Sequence, residues 1–365
     1  MPTKGEIVSF DTPIEAGGVR RNGEAQASDV YEHAETASLS VDFAAIERGN
    51  TMTTAVRTAD RGSEHALRVL HRQHRATHTR LRYRALLHPL RVGFPSPSRL
   101  RVWKRLGVSV QAQARTAWGQ RMEVTLPDDV SVSLRRNGYF EYELSAFYLR
   151  FLREGMTFFD VGAHVGYFSM LASRFVGSAG RVVAFEPTPS TFAVLERNAR
   201  ARANVTRVNT ALWSEPTEIT LRDFGPGFGA YNSVFQARLP DEVRAELRER
   251  THHVRAVRLD DYVQEHVCVP DVVKIDVESA EMHVLRGMRG VLSDLRPVVS
   301  LEVGDFGIPG APRSHDLVEH VLSFDYRAFE LRDGRPVPHR PRDEYGYENI
   351  IFAPSERAEE LRVED

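Results

Sequence analysis

The sequence predicts an α/β fold, a doubly wound and mostly parallel sheet of seven strands with an antiparallel last strand and a hairpin inserted between the third and fourth strands. Two observations carry this reading. From about 157 onward, β-branched and aromatic runs alternate with helical stretches, the pattern of strands covered by crossover helices on both faces. Between the third and fourth runs, roughly sixty residues stand where one helix would do.

The strands in order are TFFDVG, RVVAFEP, VTRVNTAL, VVKIDVE, PVVSLEV, YRAFEL and ENIIFAP. Helices are expected over 167–176, 189–202, 279–293 and 314–323. The last two strands have only a loop between them and should be antiparallel. In the insert, EITLRDF, the Gly-rich GPGFGAYNS, a charged helical stretch over 240–250 and HHVRAVRLDDY read as a hairpin with a short helix at the mouth of a site.

Ahead of this domain the character changes twice. Residues 1–60 lack any sustained period and read as a disordered leader. Residues 61–117 form a basic arm, where twelve positive residues from Arg61 to Arg105 face the lone acid Glu64. A helix is expected there over about 64–88, ending before Pro89. The main domain is placed at 118–355, opening with a hairpin over 118–138 and a helix over 142–153, and a charged tail follows at 356–365.

Composition narrows the class. Hydrophobic residues make up 42% of the 365 and the formal net charge is −2, so a full core can form and no overall charge draws the chain to polyanions. The one cysteine, Cys268, excludes an internal disulfide and any multi-cysteine metal site. Without a signal-like N-terminus or a long apolar run, the expected location is cytoplasmic, with no membrane span. Only Lys4, Lys104 and Lys274 are lysines, so a lysine inside a motif is informative.

Three motifs carry chemistry. Asp160-Val161-Gly162-Ala163-His164-Val165-Gly166-Tyr167-Phe168 follows a strand and opens a helix, where glycines allow close backbone approach and free N–H groups meet a ligand. It lacks the G-x-G-x-x-G of a dinucleotide site, and Asp160 suits an ammonium or sulfonium better than a pyrophosphate. Glu186-Pro187, at the end of the second strand, sits where a carboxylate accepts bonds from a ribose diol. In Lys274-Ile275-Asp276-Val277-Glu278-Ser279-Ala280-Glu281, Lys274 and Asp276 share one side of a strand, and Glu278 and Glu281 lie a turn apart at a helix start.

Together with Ala211-Leu212 and R-L-D-D-Y at 258–262, these motifs resemble the FkbM-type methyltransferases from about Glu141 to Val303. The resemblance implies a Rossmann-like fold, S-adenosyl-L-methionine as cofactor, and O-methylation of a hydroxyl on a polyketide, sugar or related metabolite. By position, Asp160 to Phe168 would hold the methionine portion, Glu186 the ribose, and Ala211-Leu212 would border the adenine. The family's usual glycine after K-I-D-V-E is Ser279 here.

Such a reaction needs alignment of donor and nucleophile and a group to receive or orient the hydroxyl proton. Asp276 and Glu278 are the candidates, with Lys274 beside them; His315 and His164 are secondary. No metal is required. The acceptor pocket falls to the insert, with Asn232, Ser233 and Phe235 as candidate linings. The expected partner is a small hydroxyl-bearing molecule. Competing readings are an RNA methyltransferase using the basic arm, a nicotinamide-dependent oxidoreductase and a non-catalytic cofactor-binding protein. Nucleic acid is not favoured, since no aromatics interleave with the arginines; the arm instead suits packing on its own body or pairing two copies of the chain.

Overall fold

The computed structural model describes residues 61–77, 96–225, 227–229, 232, 234, 249–305 and 307–361. The expected leader, most of the stretch over 240–250, Ser233 and Phe235 lie outside the described residues.

The described residues begin with helix α1 (Arg61–Thr77) and helix α2 (Pro97–Arg105), then a hairpin of β1 (Val110–Arg115) and β2 (Arg121–Leu126). The expected boundary at 117–118 therefore falls inside the turn of this hairpin. Residues 118–138 are correspondingly not a hairpin in themselves, because Asp129–Asn137 is a helix, α3. The alternating V-S-V-S of this stretch suits a strand, but its ends decide otherwise. Asp128 caps the helix by accepting from the Ser131 N–H at 2.9 Å, and the chain leaves through Gly138 at φ 82°. Val130 and Leu134, four residues apart, are then buried on one face.

Helix α4 (Tyr142–Phe151) leads into β3 (Thr157–Val161), α5 (Tyr167–Phe175), β4 (Arg181–Phe185), α6 (Pro189–Ala199) and β5 (Val205–Val208). The expected strand VTRVNTAL splits here. Its second half, β6 (Ala211–Leu212), joins β7 (Thr217–Asp223) and β8 (Arg250–Val257) in a separate three-stranded sheet, in which β7 and β8 form the expected inserted hairpin. Then come α7 (Leu259–His266), β9 (Val272–Ile275), α8 (Glu281–Arg286), β10 (Val298–Val303), α9 (Ser314–Leu322), β11 (Tyr326–Arg332), β12 (Arg335–Pro338) and β13 (Glu348–Pro354).

The main sheet has eight strands in the order β12-β11-β13-β10-β9-β3-β4-β5. Seven are those expected, with β13 antiparallel to both its neighbours, and the eighth is β12. It forms because Asp333-Gly334, at φ 51° and 68°, turns the chain in two residues, so the stretch taken for a loop contains a hairpin. The expected helix over 279–293 is also shorter: it ends at Gly287, and a π turn over Val291–Leu295 follows.

Strand alternation sends Phe159, Val183, Val273, Leu301 and Phe352 into one core layer, and Phe158, Val182, Val272, Val298 and Ile351 into the other, against α4 and α5. On that second face the next position along is polar on three adjoining strands. Asp160, Lys274 and Ser300 stand in register across β3, β9 and β10.

Helix α1 packs on this body. Ala66 and Leu70 are buried, His71 Nδ1 and Tyr142 Oη are 2.5 Å apart, and the His74 ring stacks on Tyr142 at 3.6 Å. Among the described residues no helix is long and apolar enough to cross a membrane. Truncating Leu70 to Ala should loosen the arm without opening the sheet, at about 2–3 kcal/mol. Hydrogen exchange checks this, with faster amides over 61–77 and unchanged protection in β3 and β9.

Candidate cofactor-binding cleft

At the carboxyl ends of β3, β4, β9 and β10 lies a cleft of about 430 Å³. Its floor is built from the first motif. Gly162 at φ 78° turns the chain out of β3, and a Cβ there would lie 1.8 Å from the Asp276 carbonyl oxygen. The missing side chain thus admits the neighbouring strand's backbone, not simply a ligand. The Gly162 and Ala163 N–H groups donate to Phe185 O, which locks the turn to β4.

Glu186 follows at the end of β4 and is 6% exposed. One carboxylate oxygen accepts from the His164 N–H and the other from the Thr188 N–H, both at 2.9 Å, so the group is fixed and retains acceptor capacity for a further donor. Burial raises its proton affinity, against the pull of His164 and these amides. His164 also lines the cleft, with Nε2 3.4 Å from Asp128. Burial opposes its charge most strongly, but Asp128, Glu186 and Asp276 together raise the imidazole above its ordinary value.

Asp276 and Glu278 line the opposite wall. Lys274 lies beneath and off the cleft, fully buried, with Nζ 3.0 Å from Asp276 and 3.7 Å from Asp160. Burial works against its charge, yet Asp276, Asp160 and Glu141 together hold it protonated above the usual lysine range. Asp160 also lies off the cleft, accepting from Ser169 Oγ at 2.5 Å.

Several expected residues sit elsewhere. Tyr167 is in the core, its hydroxyl 2.9 Å from Ser145, and Phe168 lies under the Lys274 ammonium at 5.3 Å, since both belong to the inward face of α5. Ala163 and Gly166 shape the turn without lining the cleft. Glu278 and Glu281 do not share a helix face, because Glu278 and Ser279 both have left-handed backbones, at φ 53° and 79°, and the helix starts only at Glu281. Glu281 turns back to accept from the Val277 and Ser279 N–H groups at 3.2 Å and is structural. Ser279 thus holds the turn expected of a glycine. His315 lies off the cleft, its Nδ1–H donating to Arg342 O at 3.0 Å.

The remaining wall is apolar. Ala211 and Leu212 line it with Phe185, Ile219 and Leu221, and Pro187, Trp213 and Asn232 complete it. Sequence reading missed Glu302, Tyr347, Phe140 and Asp129, which also line the cleft. Glu302 was within reach, being an acid on a strand buried on both faces and two residues past Ser300. Tyr347 sits in a loop with no local signal.

The cleft fits a cationic adenosine derivative. It carries Glu186, Asp276, Glu278 and Glu302, and among the described lining residues there is no Lys or Arg to meet a pyrophosphate. His164 Nδ1 and Asn232 Nδ2 are buried there without a hydrogen bond among the described residues, polar atoms that a ligand would satisfy. No group of three or more His, Cys, Asp or Glu able to hold a metal ion occurs among the described residues.

Gly162→Ala should cost at least about 3 kcal/mol, from a backbone clash at a left-handed position. Ser279→Gly should stabilise by about 1 kcal/mol by relieving such a backbone. Thermal unfolding of both variants checks the pair, with opposite signs expected.

Residues 160–328 match the family described as Methyltransferase FkbM domain. The chain is similar to Methyltransferase 1 of Beauveria bassiana, at 30% identity over 40% of this chain and 64% of that protein. It is also similar to 31-O-demethyl-FK506 methyltransferase FkbM of Streptomyces tacrolimicus, at 31% over 38% and 61%. A third relative is hexuronic acid methyltransferase AglP of Haloferax volcanii, at 30% over 40% and 55%. The chain thus spans between 55% and 64% of the length of these relatives. The glycine turn, Glu186 and the K-I-D-V-E strand, assembled around one cleft, all fall within residues 160–328, the stretch that matches the Methyltransferase FkbM domain.

Proposed function

We propose that the chain O-methylates a hydroxyl on a small metabolite, sugar or polyketide, using S-adenosyl-L-methionine bound in the cleft at the carboxyl end of the sheet. The observation that carries this reading is the fixed Glu186 carboxylate at one end of a cleft rich in acids and apolar groups. Two of the relatives above are named for methylation of 31-O-demethyl-FK506 and of hexuronic acid, which supports a small hydroxyl-bearing acceptor without naming it.

In this reading Glu186 accepts from the ribose hydroxyls, and Ala211-Leu212 with Phe185 cover the adenine. Asp276 and Glu278 face the positive end of the cofactor, with Gly162 and His164 beneath it. When bound, the cofactor supplies an electrophilic methyl group whose transfer discharges a sulfonium. The chain's own task is alignment, and Lys274 positions Asp276 from below through their ion pair. Tyr167 and Phe168 act by packing the turn, not by contact.

Action on nucleic acid is not the favoured reading, because α1 turns its apolar face and two of its three histidines, His71 and His74, onto the body of its own chain. Calorimetry with S-adenosyl-L-methionine and with NAD tests the reading. The parent should bind the first and not the second, and Glu186→Ala should weaken binding by at least about ten-fold, the loss of charge-assisted bonds. Binding of NAD, or an unchanged affinity in the variant, would overturn it.

A further inference from the structure

Beyond Tyr347 a second cavity of about 460 Å³ opens, and the tyrosine lines both it and the cofactor cleft. Glu141 lines this second cavity, while Phe140, its chain neighbour, lines the first. Glu141 therefore stands at the seam between them, as the residue that starts α4. Its backbone is left-handed, at φ 38°, a conformation that costs a long L-side chain free energy and that concentrates where geometry matters to function.

The carboxylate is held from several elements. Its Oε1 accepts from the Tyr347 hydroxyl. Its Oε2 is buried and closes no hydrogen bond among the described residues, though the Asn349 side chain lies beside it. Lys274 faces it from β9 and Asp276 from the residue after that strand, Tyr148 from its own helix and Tyr167 from α5, while Glu302 on β10 faces its partner Tyr347. Burial, then the charge on Asp276, pushes the carboxyl up to about 7, against the pull of Tyr347, Lys274 and Asn349. A proton acceptor works best in that range. Asp276, by contrast, commits its Oδ2 to the Lys274 ammonium at 3.0 Å.

We propose that Glu141 is the proton acceptor of the methyl transfer, held by Tyr347 where a hydroxyl entering through the second cavity meets the methyl group. The proposal rests on the cofactor reading above. Glu141 takes the hydroxyl proton as the hydroxyl oxygen bonds to the methyl carbon. The carbon–sulfur bond breaks with its electron pair left on sulfur, giving the methyl ether, S-adenosylhomocysteine and a protonated Glu141 that returns its proton to water.

A carboxylate so placed lies close to the sulfonium, the charge by which S-adenosyl-L-methionine differs from S-adenosylhomocysteine. Calorimetry of the full chain with each ligand at about pH 6 and about pH 8 reads this without any acceptor. Groups common to both ligands cancel in the ratio of affinities. Glu141 gains its charge as pH rises through its raised value, so the preference for the methylated ligand should be about ten-fold larger at the higher pH. In Glu141→Gln the rise should shrink to the share that His164 supplies as it loses its own charge, whereas Glu143→Gln should behave as the parent. Tyr347→Phe, which removes a donor that favours the charged form, should move the rise to higher pH. A pH-independent preference in the parent, or a rise that survives undiminished in Glu141→Gln, would overturn the proposal. Failure of the parent to bind either ligand would instead overturn the cofactor reading.

Discussion

A fully buried ammonium, Lys274, sets the terms for the rest of this site. Removing such a charge from water costs several kcal/mol, and only close carboxylates and good geometry offset it. Asp160 and Asp276 supply them, from the next strand in register and from two residues along the same strand. The arrangement requires β3 and β9 to be neighbours, parallel and in this register, because a slip of one residue would turn Lys274 into the opposite, wholly apolar layer. Around this charge the protein places further polar groups on a face that is otherwise core. Tyr148 bonds Ser300, Ser169 holds Asp160, and the Phe168 ring lies against the ammonium. The cluster is costly as a fold element and is explained by what stands at its upper edge, the acidic wall of the cleft.

The cleft is closed in part by segments outside the family match, β1, β2 and α3, and in part by the small sheet within it. The hairpin of β1 and β2 is tied to the glycine turn through Asn198, whose amide donates to Glu123 O and Val165 O at 3.0 and 2.8 Å. Helix α3 brings Asp128 to His164 and Asp129 and Val130 to the cleft wall. The small sheet of β6, β7 and β8 supplies the apolar side. The glycine turn and the elements that cover it are therefore one hydrogen-bonded unit, so changes in the N-terminal hairpin should reach the cleft through Asn198 and His164.

Much of this was legible from residue types and spacing. The strand and helix alternation gave the sheet, and the glycine turn, Glu186, Ala211-Leu212 and Asp276-Glu278 do meet in one cleft. What was not legible depended on partners far away in sequence. The periodicity of 130–134 favours a strand, and only the Asp128 cap and Gly138 exit make it a helix. Tyr167 and Phe168 belong to a sound motif, yet helix phase turns them into the core. Glu141 and Tyr347 are 206 residues apart and meet only through the fold. The Asp333-Gly334 turn was a local signal that could have revealed the eighth strand.

The central claim is a location, that the cofactor lies between Glu186 and Asp276. A crystal structure of the chain grown with S-adenosylhomocysteine tests it most directly. The account predicts ligand density in this cleft, with both ribose hydroxyls on Glu186 and the sulfur on the side of Asp276 and Tyr347. Density at another place on the molecule, or in this cleft with the ribose away from Glu186, would contradict it.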